Sequence, residues 1–221
     1  MWIAKFKLKD DEDIYSPLCE DYGIDFFAYP ITNFKKKNKI NLIVVGNIFG
    51  EGVEKKKFLR ELKKDKRVKS IEKSGDFIVV HAVHPINKET TGEITTFYNR
   101  QYVMVNPVHV SKDGWEYWEI GCLDRKELMK IITASEKHYH GKLLSLKEEK
   151  LSAVSIINIF PNLTKKQKEC LEIAYKNKYY NYPRKLTIQE LSKEINRSYS
   201  TFQEHLRKAE KKIIESFLKT I

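Results

Sequence analysis

The first residues of the chain alternate between apolar and polar positions, as a β-strand does when one of its faces is buried. Trp2, Ala4, Phe6 and Leu8 fall on one side, whereas lysines are concentrated on the other side. The pattern therefore predicts a strand over residues 2–8.

Strands and helices alternate over the rest of the first 84 residues. Residues 40–45 form an apolar run that predicts a buried strand, and residues 53–64 have apolar positions at helical spacing. Residues 68–71 and 77–83 predict a hairpin, because Ser74-Gly75-Asp76 has the composition of a turn. The order of strand, helix, strand, strand, helix, strand indicates an antiparallel sheet with helices on one face. We expect this region to be ferredoxin-like.

A polar stretch at residues 85–93 leads to a second group of strands and a helix. Asp124 is the expected N-cap of this helix, and Gly141 is expected to end it as a left-handed residue. Phe160-Pro161-Asn162 marks a boundary, which ends the first region at residue 161. Its strands and helices place residues 1–161 in the α+β class. This region is either one body or two subunits, at residues 1–84 and 94–161. Its further strands are predicted at residues 98–105, 109–110, 115–122 and 143–159.

Residues 162–221 have the pattern of three packed helices. Thr164 and Gln167 have the spacing of a capping box, and Thr187 and Glu190 repeat that spacing before a second helix. Either Ser198 or Ser200 can cap the third helix. The apolar residues expected to pack these helices together are Leu171, Ala174, Tyr175, Leu191, Ile195, Phe202, Leu206, Ala209 and Ile213, with Cys170 beside them.

Positive charge is concentrated in this C-terminal region. The protein has 41 Lys and Arg against 30 Asp and Glu, a formal net charge of +11. Residues 162–221 contain 14 Lys or Arg and 7 Asp or Glu, so seven of those positive charges lie there. A basic surface suits a polyanion such as DNA, although lysine-rich surfaces also occur in proteins that bind none.

Three helices in this order, with a basic third helix, are typical of a helix-turn-helix that reads the major groove of double-stranded DNA. Residues near the N-terminus of the third helix reach base edges, and the surrounding Lys and Arg contact phosphates. Gln203 suits adenine, Arg207 suits guanine or a phosphate, and Glu204 suits the amine of cytosine. An ordinary basic helical bundle is the alternative. The residues predicted to contact DNA are Arg184, Lys185, Arg197, Ser198, Tyr199, Ser200, Thr201, Gln203, Glu204, Arg207, Lys208 and Lys211.

Four motifs within this region are LTKKQ, AYKNKYYNYPRK, LTIQELSKEI and SYSTFQEHLRKAE. In these motifs the chain resembles the helix-turn-helix domain of the archaeal bacterio-opsin activator family. The first and last motifs are shared in outline with region four of bacterial sigma factors, whereas the tyrosine and YPRK segment is typical of the archaeal family. The resemblance implies transcription regulation, and members often carry sensory domains ahead of this reader.

These observations predict a DNA-binding transcription regulator. The α+β region is expected to sense a small-molecule effector or to mediate dimerisation. A homodimer is expected because one small reader offers limited contact area, and the last helix through Phe217 and Leu218 can contribute to its interface. The alternative is a sigma-like adaptor that binds the basal transcription machinery rather than specific DNA.

Gly46, Gly50 and Gly52 are weak candidates for a ligand-binding loop. They follow a predicted strand and precede a predicted helix, where backbone amides can bind an anion. The segment has neither the ending of a P-loop nor the dinucleotide pattern, so a plain turn is the alternative.

Other chemistry has little support in the sequence. Cys19, Cys122 and Cys170 are scattered without metal-like spacing, and no histidine pair is spaced to chelate one metal. Asp11 and Asp13 belong to an acidic turn that is expected to face solvent. Neither an enzyme, a cofactor nor a metal site is expected. Because no signal peptide or membrane span is recognisable, the sequence predicts a cytoplasmic protein.

Overall fold

The computed structural model of the protein describes residues 1–85, 97, 101–150, 163–194 and 197–218. Outside these residues lie most of the predicted linker 85–93, the start of the predicted strand 98–105, the later part of 143–159 and the boundary at 160–162. Ile195 and Asn196, and the side chains of Phe217 and Leu218, also lie outside them. The chain divides into two compact units, Met1–Ile157 and Asn158–Ile221.

The N-terminal unit is built on one large antiparallel sheet, to which nine strands of the described residues belong. These strands are β1 (Trp2–Leu8), β2 (Asp25–Lys36), β3 (Lys39–Phe49), β4 (Val68–Ser74), β5 (Phe77–Pro85), β6 (Val103–Met104), β7 (Val108–Val110), β8 (Glu116–Cys122) and β9 (Lys142–Glu148). The order across the sheet is β4-β5-β3-β2-β7-β8-β1-β9, and β6 pairs with β8.

The first strand joins the two halves of the predicted region. β1 pairs with both β8 and β9, with Phe6 opposite Trp118 and Ala4 opposite Ile120. One continuous sheet therefore includes strands from residues 1–84 and from the second group. The ferredoxin-like arrangement is not confirmed, because β1 lies in the far half of the sheet rather than beside β3 or β5. The α+β class with an antiparallel sheet is confirmed.

One face of this sheet is covered by α1 (Ser16–Tyr22), α2 (Gly52–Lys64) and α3 (Arg125–His138). Phe58 and Leu62 of α2 are fully buried, as their helical spacing predicts. Leu128 and Ile131 of α3 join the same apolar core. Side chains that face the core alternate along β1, β5 and β8, because successive strand residues point to opposite faces.

The structure confirms the turn and the helix cap predicted for this unit, but not the role predicted for Gly141. The predicted hairpin is formed by β4 and β5, and Gly75 takes the left-handed conformation at its turn, with φ of 62°. The Asp124 carboxylate caps α3 by accepting a hydrogen bond of 2.8 Å from the Lys126 amide. The prediction for Gly141 was wrong, because His140 takes the left-handed conformation instead, with φ of 50°. Gly141 is required for close approach, since a Cβ there would lie 2.4 Å from the Ser135 carbonyl carbon.

The C-terminal unit contains three helices: α4 (Lys165–Lys176), α5 (Ile188–Glu194) and α6 (Tyr199–Leu218). Its buried cluster includes Cys170, Ala174, Leu191, Phe202 and Leu206, and α6 contacts both shorter helices. The prediction for Tyr175 was wrong, because its ring is exposed and does not pack between the helices. These helices cannot bury their apolar faces alone, so the long α6 provides the surface on which the other two pack.

Candidate nucleic-acid interface

The first helix of the C-terminal unit begins at the predicted capping box. The Thr164 hydroxyl accepts a hydrogen bond of 3.3 Å from the Gln167 amide, and the Gln167 side-chain oxygen accepts one of 3.1 Å from the Thr164 amide. The same oxygen accepts a bond of 3.0 Å from Lys212 Nζ. Because Lys212 belongs to α6, the cap also connects the first helix to the third.

The second helix begins at the other predicted capping box. Glu190 Oε2 accepts a hydrogen bond of 2.7 Å from the Thr187 amide, and the Thr187 hydroxyl accepts one of 3.3 Å from the Glu190 amide. These bonds to Thr187 hold the pKa of the Glu190 carboxyl below its ordinary value. Leu191, one residue later, is fully buried. The cap thus fixes where this short helix begins, and the core residue Leu191 follows within its first turn.

Arg197 lies in the connection between the second and third helices. Its backbone amide donates to the Ser192 carbonyl at 3.0 Å, and its guanidinium pairs with Glu169 Oε2 of α4 at 3.1 Å. Only 27% of the Arg197 side chain is exposed. This residue, predicted to contact DNA, therefore joins the turn to α4, and any phosphate contact would have to share its guanidinium with Glu169.

Ser198 caps the third helix, as one of the two predicted alternatives. Its hydroxyl accepts a hydrogen bond of 3.2 Å from the Thr201 amide and lies 2.7 Å from the Thr201 hydroxyl. The Ser200 hydroxyl lies 3.1 Å from that of Ser198. Three hydroxyls thus surround the start of a 20-residue helix, where the helix dipole favours a phosphate.

The exposed side of α6 lies opposite a fully buried apolar stripe of Phe202, Leu206 and Ala209. Ile213 is half-buried. The predicted contact residues divide by their position on the helix. Thr201 and Gln203 are half-buried on its two flanks. Exposed on the outer side are Tyr199, Ser200, Glu204, Arg207, Lys208 and Lys211.

Acidic residues of α6 hold the cations of this exposed side in place. Lys208 pairs with Glu204, Arg207 pairs with Glu210 at 3.2 Å, and Lys211 lies 3.6 Å from Glu215. The bond from Lys208 lowers the pKa of the Glu204 carboxyl, so Glu204 is a charged acceptor. Exposed pairs of this kind contribute little to stability, so a phosphate can readily replace the carboxylate.

The tyrosine and YPRK segment between the first two helices is anchored by two aromatic contacts. Tyr179 is buried, and the Arg184 guanidinium lies 4.7 Å from the centroid of its ring. The Tyr180 hydroxyl donates a hydrogen bond of 2.8 Å to Glu210 of α6, and burial together with this bond raises its pKa. Arg184 and Lys185 are both exposed. They extend the basic surface beyond α6.

The glycine segment of the N-terminal unit differs from the arrangement that the sequence suggested. β3 continues to Phe49, so Gly46 lies within the strand and not in the loop. A Cβ at Gly46 would lie 2.2 Å from the Phe27 carbonyl oxygen, which explains the glycine by close packing of strands. Gly50 lies in the loop and Gly52 is the first residue of α2, whose N-cap is Glu51 and whose first turn contains Glu54. Two carboxylates at this helix start disfavour an anion.

The residues that connect α6 to its neighbours have no local signal in the sequence. Glu169 pairs with Arg197, and Tyr180 of the tyrosine and YPRK segment holds α6 through Glu210. Their partners lie 28 and 30 positions away along the chain, beyond the reach of a periodicity argument. Among the described residues, no group of three or more His, Cys, Asp or Glu is arranged to hold a metal ion.

Comparison with known proteins identifies the C-terminal unit. Residues 163–215 match a family model described as an HTH DNA binding domain, of the bacterio-opsin activator type that the motifs indicated. The match includes α4, α5 and most of α6. No curated protein matches the chain. Within the part of the chain that the structure describes, no helix combines the length and apolar character needed to cross a membrane.

Proposed function

We propose that this chain, whose residues 163–215 belong to the bacterio-opsin activator-type HTH DNA-binding family, regulates transcription by reading specific sequences in the major groove. The family match supports a DNA-binding transcription regulator rather than an enzyme. The observation that carries the sequence-specific proposal is the long α6, capped by hydroxyls at its start and basic on the side opposite its buried stripe.

Different residues at the start of α6 and along it are proposed to bind phosphates and base edges. Ser198, Ser200 and Thr201 suit the phosphate nearest the helix start, because hydroxyls and backbone amides converge there. Lys208 and Lys211 can bind phosphates along the helix when a phosphate replaces the carboxylate with which each lysine pairs. Gln203 and Arg207 are the proposed readers of base edges.

Arg184, Lys185 and Arg197 form the proposed support around the reading helix. Arg184 is held over the Tyr179 ring, so its guanidinium reaches a phosphate with little loss of side-chain freedom. The main role proposed for Arg197 is to hold the turn against α4 through Glu169. Tyr199, half-exposed at the start of α6, is placed to contact sugar or phosphate.

We further propose that the protein acts as a homodimer. One reader of three helices offers limited contact area, and symmetric half-sites about one helical turn apart are the usual solution for such readers. The N-terminal unit is the proposed site of ligand sensing or assembly. Its large sheet has a helix-covered face, and within this unit no described helix covers the other face.

A sigma-like adaptor that binds transcription machinery is the second candidate. Tyr175 and Tyr182 support it, because both rings are largely exposed on the C-terminal unit and exposed tyrosines are common in protein interfaces. An adaptor would use these rings, whereas a DNA reader would depend on α6.

In vitro selection from random duplex DNA, with the full chain at near-physiological salt, tests the proposal. We expect enrichment of a palindrome with half-sites about 10 base pairs apart, centre to centre. Retention of all sequences alike, with steep loss as salt rises, would contradict sequence-specific reading. The variant Tyr182→Ser should leave the selected site unchanged, whereas a change in DNA preference would contradict this division of roles.

A further inference from the structure

The N-terminal unit contains a cavity of about 500 Å³. This volume lies within the range of roughly 300–1,000 Å³ that is typical of small-molecule sites. Its apolar wall includes Leu42, Val44 and Ala82 from neighbouring strands, and its aromatic wall includes Trp118 and Tyr139. All the described residues that line it belong to the N-terminal unit. None of them is in the glycine segment considered from the sequence.

A buried carboxyl group lies in the wall of this cavity. Glu116 is the first residue of β8 and lies opposite Leu8 of β1, so it shares the core-facing side with Trp118 and Ile120. Its two oxygens accept hydrogen bonds from the Ser16 hydroxyl at 2.7 Å and from Trp118 Nε1 at 2.9 Å. Only 7% of Glu116 is exposed. Both of its partners are neutral.

No Lys, Arg or His among the described residues forms an ion pair with Glu116. A buried carboxylate without a counter-charge is costly, because it loses its hydration and gains only dipoles in return. Burial, with Asp13 nearby, raises the pKa of Glu116 to about 8. The core-facing row of β8 thus contains an ionisable carboxyl group for which the described part of the chain supplies no cationic partner.

The cations that line the cavity already have other partners. The Arg67 guanidinium donates three hydrogen bonds to Asp65, at 2.7, 3.0 and 3.2 Å, and one of 2.6 Å to the Glu12 carbonyl. Lys9 pairs with Glu20 at 2.7 Å. Burial and the neighbouring Arg67 lower the pKa of His84, so its ring is neutral at pH 7.

The acidic turn after β1 gives the cavity an excess of negative charge. Asp10, Asp11, Glu12 and Asp13 all line it, and Asp11 and Glu12 are exposed. A concave surface lined by one sign of charge attracts the opposite sign, so this cavity favours a cation over an anion. The aromatic wall favours the same class, since the faces of Trp and Tyr rings attract cations.

We propose that this cavity binds a small organic amine, whose ammonium group pairs with Glu116 and whose apolar body lies against Trp118 and Tyr139. The amine supplies the counter-charge that Glu116 lacks, and the acidic turn steers it to the cavity. Its use as an effector of DNA reading rests on the proposed function, whereas the binding itself does not. The N-terminal unit thus has a proposed site for ligand sensing and a proposed class of ligand, the organic amines.

Calorimetric titration of the full chain without DNA tests the binding. The probes are 2-phenylethylamine and its neutral counterpart 2-phenylethanol, which differ only in the group that would meet Glu116. We expect saturable heat with the amine and binding at least about tenfold weaker with the alcohol, as the loss of a buried charge pair predicts. Equal binding of both probes, or saturable heat with magnesium chloride but not with the amine, would overturn the proposal.

The variant Glu116→Gln and its matched control Glu119→Gln identify the binding group. Glutamine can keep both hydrogen bonds, accepting from Trp118 and donating to the Ser16 hydroxyl, so the variant should fold. Glu119 lies on the same strand but faces the other side, where it pairs with Lys5 at 3.0 Å. We expect Glu116→Gln to weaken amine binding about tenfold or more and Glu119→Gln to leave it unchanged. Unchanged binding in Glu116→Gln would contradict the assignment.

Proton release provides a second readout. Because the pKa of Glu116 is about 8 without ligand, its carboxyl is protonated at neutral pH and must release a proton when the ammonium binds. The heat at neutral pH should then depend on the ionisation enthalpy of the buffer in the natural chain and not in Glu116→Gln. Heat that is independent of the buffer would contradict pairing with Glu116. The other titratable groups that line the cavity are Lys9, Asp10, Asp11, Glu12, Asp13, Tyr15, Arg67, His84, His138, Tyr139 and His140.

Negative results in the calorimetric and selection experiments would contradict different proposals. Absence of saturable heat with millimolar 2-phenylethylamine, below and above the pKa of Glu116, would overturn the amine site while leaving DNA reading intact. Failure of sequence enrichment would contradict the proposed function while leaving the amine site intact. If both succeed, repeating the selection with 2-phenylethylamine present shows whether occupancy changes DNA binding.

Discussion

The hydrogen bonds that organise the two units of this protein differ in their range along the chain. Thr164 and Gln167 cap α4 from 3 positions apart, whereas Ser16 and Glu116 meet in the N-terminal unit from 100 positions apart. The C-terminal unit is specified largely by neighbours within one helical turn. The N-terminal unit is specified by strand pairing, which brings together residues that no local pattern connects.

The difference has a functional consequence. In the C-terminal unit the residues proposed to face DNA follow from helical spacing, because α6 places every third or fourth side chain on one side. In the N-terminal unit the cavity follows from the register of β1 against β8, which sets Glu116 opposite Leu8. A site of the first kind can be recognised from the sequence, whereas a site of the second kind can be recognised only from the tertiary structure.

The largest expected effect comes from removing a buried aromatic ring from the core of one unit or the other. Phe202→Ala in the C-terminal unit and Phe58→Ala in the N-terminal unit each remove a fully buried ring, at a cost of about 3–5 kcal/mol. In hydrogen exchange, Phe202→Ala should remove protection from residues 163–218 while the sheet stays protected, and Phe58→Ala should do the reverse. Equal loss in both units from either change would contradict independent cores.

A smaller effect, of a few kcal/mol, concerns the pH dependence of the N-terminal unit. An unfolded glutamate has a pKa of about 4.3. The folded Glu116 has a pKa of about 8. Between these values the folded state binds more protons than the unfolded state, so stability should fall as pH rises and level off above the folded pKa. Other groups add their own pH dependence, so the comparison is made between variants.

Tryptophan fluorescence during urea unfolding measures this effect, because Trp2, Trp115 and Trp118 all lie in the N-terminal unit. Glu116→Gln should be less sensitive to pH across this window, whereas Glu119→Gln should retain the natural dependence. A natural chain whose stability rises through this window as much as that of Glu116→Gln would contradict the raised pKa of Glu116.

The next effect, about 1–3 kcal/mol, distinguishes base reading from phosphate binding on α6. Gln203→Ala should narrow the difference in affinity between the selected site and a scrambled site. Lys208→Ala should weaken both equally and reduce the salt slope by about 1. Lys57→Ala is the matched control, because Lys57 is also exposed and paired with a carboxylate of its own helix, at 3.0 Å. Equal effects of the two α6 variants would show that these roles are wrongly assigned.

The smallest effect, about 0.2–1 kcal/mol, concerns the partly exposed pair of Arg197 and Glu169. A double-mutant cycle with Arg197→Ala and Glu169→Ala should yield this coupling in the stability of the C-terminal unit. If the main role of Arg197 is to hold the turn, both single variants should reduce DNA affinity similarly. A loss confined to Arg197→Ala would indicate direct contact with DNA instead.

Prediction from sequence succeeded where one residue acts on its near neighbours. The caps at Thr164, Thr187 and Asp124 and the turn at Gly75 were all confirmed, because each depends on bonds or conformations within a few residues. The prediction for Gly141 was wrong for an instructive reason. A glycine after a helix suggested the left-handed conformation, but here it accommodates the Ser135 backbone.

Prediction was weakest where a residue depends on distant partners. Glu116 was overlooked because a single glutamate at the start of a strand has no periodic signature. Its position before Trp118 and Ile120 in an alternating row was the available signal, since the same row is otherwise apolar. The acidic turn was expected to face solvent, and its Asp11 and Glu12 are exposed, but the turn also lines the cavity.

The sequence by itself determined a C-terminal DNA-binding unit, its caps and the exposed side of its third helix. Helical structure repeats every 3.6 residues, so the identities of near neighbours contain that information. Only the tertiary structure decided the strand order, the partner of Arg197 and the position of Glu116 beside an acidic, aromatic cavity. Strand pairing and ion pairs between helices join residues by proximity in space, and many pairings satisfy the same local pattern.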